Sequence, residues 1–282
     1  MDVVAREIRW VFIALSILLN LKALGKVEIE DSLGVKFEKK EYRKIVSLAP
    51  SITEILKFLD LSSNIVGTTR YCEHNSRKLG GLYDVDLEGI IKLNPDIVFL
   101  LRVSDTKVYD FLRSKGIPAF VLEFRSLSDI ISWARKISTL TGTFNSNRKK
   151  IKDLEHLFDS LAERARKHVS GRRFFVMYSY PTIYTASSNS YVAELIRRVG
   201  GINLSDSFCC GYQTIITSVE TVLKLKPDIV LITDNNFEAI TNELQKLGLN
   251  AKFIYIDPMD ISPSIRITNF MLKMMLHESL SN

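Results

Sequence analysis

Cysteine is too scarce to organise this chain. Cys72, Cys209 and Cys210 are an odd set, and two of them are adjacent. A closed disulfide framework is excluded; one bridge from Cys72 to the pair, or free thiols, remain open. No cysteine spacing matches a zinc site. The four histidines, His74, His156, His168 and His277, are scattered. No GxGxxG turn joins a strand to a helix, and no GxxxxGK loop ending in Ser or Thr is present to cradle phosphate. The GxSxG elbow and the HExxH zinc motif are missing as well. Ser47 and Ser51 in "SLAPS" lie near a strand end, but no His/Asp set accompanies them. No catalytic residue, metal site or cofactor is therefore assigned.

A strong charge bias is also lacking. Lys and Arg total 38 against 32 Asp and Glu, a formal net charge of +6. The local clusters "NRKK" (Asn147–Lys150) and "RARKH" (Arg164–His168) contain no interleaved aromatic residue. They read as the solvated face of a helix, so no nucleic-acid partner is expected. Long hydrophobic runs are limited to "WVFIALSILLNL" (Trp10–Leu21), which is shorter than the roughly 20 residues of a comfortable span. Arg6 and Arg9 precede the run, and "KALG" with Ala23 and Gly25 follows it. Residues 1–25 are thus expected to be a signal peptide or an uncleaved N-terminal anchor, and the rest extracytoplasmic. No cysteine precedes Cys72, so a lipid-modified cysteine just after the run is not expected.

What is present is a repeat. "LEGIIKLNPDIVFL" (Leu87–Leu100) returns as "VETVLKLKPDIVLI" (Val219–Ile232). Glu88 and Glu220, Pro95 and Pro227, and Asp96 and Asp228 are each 132 residues apart. Two copies at domain-sized spacing point to two similar lobes, since a solenoid needs several short repeats. Asp86 and Ser218 are good helix N-caps ahead of each copy. A short helix follows and ends at the proline. "DIVFL" and "DIVLI" are unbroken apolar runs, as in parallel strands buried on both faces.

The remaining pattern fits two α/β lobes. "KIVSLAP" predicts a strand, and Ser51–Leu61 a helix capped by Ser51 with Glu54 in a capping box. "NIVGTT", "IPAFVLE", "RFFVMYSY" and "AKFIYID" predict strands; "KVYDFLRSKG", "LSDIISWARKISTLTG" and "SYVAELIRRVGG" predict helices. Residues 26–43 predict a hairpin turning at Ser32–Gly34. Residues 44–142 form lobe 1, residues 143–170 a linking helix, and residues 171–282 lobe 2 with a C-terminal helix. Ile151, Leu154, Leu157, Phe158 and Leu161 recur at helical spacing in the linker, which predicts a stiff strut of about 30 Å or more. The fold class is therefore α/β: two Rossmann-like lobes with open parallel sheets, joined by one long rigid helix. Tyrosines gather after the predicted strands, at Tyr71, Tyr83, Tyr178, Tyr180, Tyr184 and Tyr212. Strand C-terminal ends form the ligand crevice of open α/β sheets. Tyr71, Tyr83, Tyr184 and Tyr212 are the candidates to stack on a flat ligand.

The stretches "RKIVSLAPSITEIL", "IVGTTRYCEHN" and "GGLYDVDLEGIIKLNPDIVFL" resemble the first lobe of class III ABC-transporter solute-binding proteins. These are the BtuF-like cobalamin-binding proteins and their iron-siderophore and haem-binding relatives. "YTASSNSYVAELIRRVGGIN", "SVETVLKLKPDIVLI" and "DISPSIRI" resemble the second lobe, so the likeness covers Lys44–Leu276. The resemblance implies a ligand held between the lobes with limited closure. It implies delivery to an ABC permease driven by a cytoplasmic ATPase, by a protein expected to be a monomer and not an enzyme. Glu88 and Glu220 match the family's permease-docking glutamates. In "RYCEHN" Arg70 stands where corrinoid binders carry an acid. "DISPSIRI" keeps Arg266 of an Arg-Pro-x-Pro-Arg pattern as a ligand contact, with Ser262 and Ile265 replacing other members. The expected ligand is a cobalamin-like corrinoid, with a ferric chelate or haem as the alternative. An enzyme or sensor on the same lobes is the competing class; the apparent export signal argues against a cytoplasmic one.

Overall fold

The computed structural model describes residues 27–81, 84–102, 106–208 and 214–276. The expected N-terminal signal or anchor, Tyr83, Tyr212, Cys209 and Cys210 lie outside them. The hairpin is formed by β1 (Glu28–Glu30) and β2 (Lys36–Glu38), antiparallel with Glu28 opposite Glu38. Asp31 closes its turn: one carboxylate oxygen accepts from the Leu33 and Val35 N–H groups at 2.8 and 2.9 Å. Its other oxygen accepts from the Val121 N–H at 3.1 Å, which ties the hairpin to lobe 1.

Lobe 1 runs β3 (Ile45–Ser47), α1 (Pro50–Phe58), β4 (Ile65–Thr68), β5 (Arg77–Lys78), α2 (Leu87–Leu93), β6 (Ile97–Leu101), α3 (Lys107–Ser114), β7 (Ala119–Leu122) and α4 (Leu127–Leu140). Its strands are all parallel, in the order β5-β4-β3-β6-β7. Helix α5 (Phe144–Val169) then carries the chain across. Its 26 residues span about 39 Å at roughly 1.5 Å each. Lobe 2 runs β8 (Arg173–Met177), β9 (Ile183–Ala186), α6 (Tyr191–Arg198), β10 (Ile202–Asn203), β11 (Thr214–Thr217), α7 (Val219–Leu225), β12 (Ile229–Ile232), α8 (Phe237–Lys246), β13 (Lys252–Tyr255), α9 (Pro258–Ile261) and α10 (Ile267–Leu276). Its parallel sheet has the order β10-β8-β12-β13. The architecture is the expected two-lobed α/β fold with one long helix.

Alternation along the strands explains the layering. Ile97 and Phe99 of β6 face one core, while Val98 and Leu100 face another. Lobe 2 repeats this, with Phe174 and Val176 of β8 and Ile229 and Leu231 of β12 on one side. Phe175, Met177, Val230 and Ile232 face the other. The first face of each sheet joins one continuous core that also contains Ile151, Leu154, Phe158, Leu161 and Ala165 of α5. Helix α10 packs along α5 and adds Phe270, Met271 and Met274.

Two local expectations need correction. Helix α1 starts at Pro50, capped by the backbone of Ala49, with no side-chain cap. Proline has no N–H to satisfy, so it suits the first turn. Ser51 is consequently buried inside the helix, and Glu54 pairs with Lys57 instead of closing a capping box. The parallel description also misses a two-stranded antiparallel ladder, β9 with β11, in which Ile216 lies opposite Tyr184.

The repeat holds in backbone detail. Asp86 accepts from the Gly89 N–H at 2.8 Å, and Ser218 from the Thr221 N–H at 3.3 Å. Both helices end in a left-handed residue, Asn94 at φ 46° and Lys226 at φ 48°. The aspartate after each proline then ties the next strand to its neighbour. Asp96 accepts from the Arg43 and Lys44 N–H groups at 2.7 and 2.9 Å, beside β3. Asp228 accepts from the Arg173 N–H at 2.7 Å, at the start of β8.

Partial burial alone would push the Asp96 carboxyl up, but the Lys44 and Arg43 N–H groups outweigh it and hold it below the usual range. A folded pKa below the unfolded one stabilises the protein above the unfolded value, near 4. That contribution is lost as the pH falls through the depressed folded value. Asp96→Asn should therefore cost about 1–2 kcal/mol at pH 7. The gap to wild type should narrow below about pH 4 in urea-unfolding measurements.

Candidate functional site

Strand order locates the site. In each sheet the chain leaves one central strand in one direction and its neighbour in the other, and ligands bind beyond the strand ends at such a point. In lobe 2 that point lies between β8 and β12, and the residues just after them are Tyr178 and Thr233. The Thr233 N–H donates to the Met177 carbonyl at 3.1 Å, and its hydroxyl to the Tyr178 carbonyl at 3.2 Å. A cavity of about 280 Å³ opens there. Phe124 enters its wall from lobe 1, two residues past β7. Lobe 2 supplies Tyr178, Tyr191, Val192, Thr233 and Ile261, together with Ser190, Ser262 and the prolines Pro258 and Pro263. No charged residue is among those lining it. Burial pushes the Tyr178 phenol well up, so it stays protonated.

Of the expected ligand contacts, the described ones, Tyr71, Tyr184 and Arg266, are not among the residues of its wall. Tyr71 follows β4 in the loop between β4 and β5 and is 60% exposed. Its ring lies under the Arg70 guanidinium, 5.9 Å from the ring centre, and close to Gly81. Arg70 itself pairs with Asp84. The loop is tied down by Lys78, whose ammonium donates to the Cys72 and His74 carbonyls at 2.7 and 2.9 Å. Cys72 is a buried free thiol hydrogen-bonded with Thr69. Tyr184 stands on β9 with its ring exposed.

Arg266 is committed to carboxylates. Its Nε and Nη2 both lie 3.1 Å from buried Asp260, and Asp257 is 3.7 Å away. Nη1 reaches across to Glu73 of lobe 1 at 3.2 Å. Asp260 also accepts from Asn269 at 3.0 Å and lies 3.4 Å from Lys273. A second polar contact between the lobes lies deeper. Glu194 of α6 accepts from the Leu127 N–H, at the start of α4, at 3.2 Å. Burial holds the Glu194 carboxyl above its usual range.

Glu88 and Glu220 are solvent-exposed in the first turns of α2 and α7, one on each lobe. The Ser218 hydroxyl, the Glu220 N–H and Lys224 hold the Glu220 carboxyl below its usual range, so it is ionised at neutral pH. Phe124 and Tyr191 were not picked out from the sequence. Phe124 was legible as the residue just past "AFVL"; Tyr191 carried no signal beyond its place after Ser190. Among the described residues no group of His, Cys, Asp and Glu is arranged to hold a metal ion, and no helix is long and apolar enough to cross a membrane.

Two lobes of parallel sheet, a long helix behind them and a cavity at the strand ends define a two-lobed solute-binding protein. Residues 45–253 match the periplasmic binding protein family, and the chain belongs to that family. It is a family of extracytoplasmic substrate-binding proteins of ABC importers, not of enzymes. The chain is 26% identical over 208 residues to an uncharacterized ABC transporter substrate-binding lipoprotein, YvrC, of Bacillus subtilis (strain 168). That match covers 70% of this chain and 65% of the relative, just under two thirds of its length. A vitamin B12-binding protein of Yersinia pestis (strain Pestoides F) is 22% identical over 197 residues, covering 67% of this chain and 69% of the other. Among solved structures, the vitamin B12 binding protein BtuF of Vibrio cholerae superposes with a TM-score of 0.72 at 17% identity, covering 86% of this chain and 98% of that one. The apo haem-binding protein RhuT from Roseiflexus sp. RS-1 also gives 0.72, at 20% identity, covering 83% and 98%. These structures establish the fold.

Removing Arg266 would strand Asp260, which is 7% exposed, with only Asn269 and Lys273. Arg266→Ala should cost about 2–3 kcal/mol in chemical denaturation, below the full penalty of an unpaired buried charge. Glu73→Gln removes only an exposed partner and should cost under about 1 kcal/mol.

Proposed function

We propose that this chain is the substrate-binding component of an ABC importer and carries a corrinoid between its lobes to the permease. The observation that carries the reading is the uncharged, aromatic-walled cavity at the lobe 2 strand ends, with Phe124 of lobe 1 in its wall. Its wall suits an uncharged part of a rigid ligand; at about 280 Å³ it would take one edge of a corrinoid, with the rest lying between the lobes outside it. The described tyrosines Tyr71 and Tyr184, and Tyr83 and Tyr212 beyond the described residues, are the candidates for further stacking on it. Arg266 acts at the rim, where an incoming ligand competes with Glu73 for its outer nitrogen. Similarity to relatives named for vitamin B12 binding supports the corrinoid. A ferric chelate or haem is the second reading, because RhuT superposes as well as BtuF does.

Absorption titration of the purified chain with cyanocobalamin, haemin and a ferric chelate separates the two. Saturable spectral change with cyanocobalamin alone is the expected result; a response to haemin alone would favour the second reading. Tyr71→Ala should weaken corrinoid binding by about 1–3 kcal/mol, as loss of a sizeable aromatic contact does.

Glu88 and Glu220 are proposed to dock the lobes on the permease. A carboxylate in a first helical turn is favoured by the helix dipole whatever its partner. What supports docking is the matched exposure of both on otherwise different helices. Two separated charge pairs would fix orientation and speed encounter, with strong salt dependence. The double variant Glu88→Ala/Glu220→Ala should keep its ligand affinity yet lose about tenfold or more in ligand-stimulated ATPase activity and uptake. Normal transport at physiological salt would reduce both residues to helix-end stabilisers.

A further inference from the structure

The cavity wall includes a tyrosine whose buried hydroxyl is unpaired among the described residues. Tyr191 opens α6, directly after the N-cap Ser190. The Ser190 hydroxyl donates to the Ser187 carbonyl at 2.7 Å and accepts from the Ala193 N–H at 3.2 Å, which fixes the helix start and the residue beside it. Tyr191 is 5% exposed, packs in the shared core and lines the cavity. Its hydroxyl is buried with no hydrogen-bond partner among the described residues. Three other hydroxyls of the wall are spent: Thr233 on the Tyr178 carbonyl, Ser262 on the Pro258 carbonyl at 2.7 Å, and Ser190 as above. The Tyr178 phenol also lines the wall, but Tyr191 is the more deeply buried of the two rings. A buried donor left unpaired is costly, and folded proteins rarely keep one without a use.

The surroundings specify what could pair with it. Burial, with Glu194 and Asp129 nearby, pushes the Tyr191 phenol well up, so the hydroxyl remains a donor. Both carboxylates are engaged elsewhere. Glu194 accepts from the Leu127 N–H, and Asp129 accepts from the Arg125 and Ser126 N–H groups at 2.7 and 2.8 Å. Arg197 and Arg198 act on Glu194, but they pair with Asp206 and Asp159. No basic side chain lines the cavity. A carboxylate or phosphate entering here would meet no cation in the wall; an uncharged carbonyl would meet a ready donor.

We propose that Tyr191 is a specificity-determining residue: its hydroxyl donates to a neutral acceptor of the ligand, an amide carbonyl, and the cavity thereby selects amide-bearing ligands over carboxylate-bearing ones. This rests on the cavity being the ligand site, and it deepens the corrinoid reading, because corrinoid side chains end in amides and haem side chains in carboxylates.

The test uses the full chain and Tyr191→Phe, which keeps the ring and removes only the hydroxyl. Without ligand, the variant should melt no lower than wild type, since it loses an unpaired buried group. A clear fall in Tm would mean that the hydroxyl is bonded within the protein, and would overturn the proposal. Affinity for cyanocobalamin should fall about 5- to 10-fold in the variant, the weight of one buried hydrogen bond. The three cobalamin monocarboxylates, each with one propionamide hydrolysed, provide the second readout. The isomer that wild type binds most weakly should lose no further affinity in Tyr191→Phe. Unchanged cyanocobalamin affinity would overturn the assignment of Tyr191. If wild type binds no cyanocobalamin, the corrinoid reading fails, and the same pair is titrated with haemin and a neutral ferric hydroxamate. Hydroxamate binding weakened in the variant would still support a neutral acceptor. Haemin binding weakened in the variant, or no difference with either ligand, would overturn it.

Discussion

Everything in this molecule depends on one apolar core that belongs to both lobes. Ile45, Phe99 and Phe120 reach it from the first sheet, and Phe174, Val176 and Ile254 from the second. Helix α5 lies between, with Phe158 and Leu161 buried in the same mass. Each fully buried aliphatic or aromatic side chain contributes roughly 1.5–3 kcal/mol, so this shared surface outweighs the few polar contacts between the lobes. The strand ends of both lobes therefore rest on one packed mass, and the cavity wall draws on both lobes.

The repeated segment fastens each sheet by the same means. A capped helix of seven residues ends in a left-handed residue, passes a proline, and delivers an aspartate to the backbone of a neighbouring strand. Non-glycine residues rarely adopt positive φ, so finding it at Asn94 and Lys226 alike marks a geometry that the tie requires. Its exposed face is free of that duty, which leaves Glu88 and Glu220 available for a partner. At Gly89 the copies differ for a local reason: a Cβ there would sit 2.1 Å from the Asp86 carboxylate that caps the helix.

Most of the fold was legible because parallel strands buried on both faces write unbroken apolar runs, and helices write their caps. "DIVFL" and "DIVLI" could be little else. The β9–β11 ladder was not legible: Ile183–Ala186 is short, mixes polar with apolar residues, and pairs with a segment 31 positions away. The start of α1 was misplaced because Ser51 has the chemistry of a cap while Pro50 has the better geometry for the first turn. The cavity was only partly legible. Tyr178 follows a clear strand, but Phe124 and Tyr191 meet only through tertiary packing. Arg266 was legible as an important residue, though not its carboxylate partners, since Glu73 is 193 residues away.

The two sides of the cleft are closed by unequal means. Behind it lie a continuous helix and a common apolar mass. At its rim, Glu73 meets Arg266 in a pair whose acidic side chain is 66% exposed to water. Water and salt readily replace an ion pair of that kind. Parting that contact therefore asks little of the molecule, and a rise in ionic strength would loosen it without disturbing the scaffold behind.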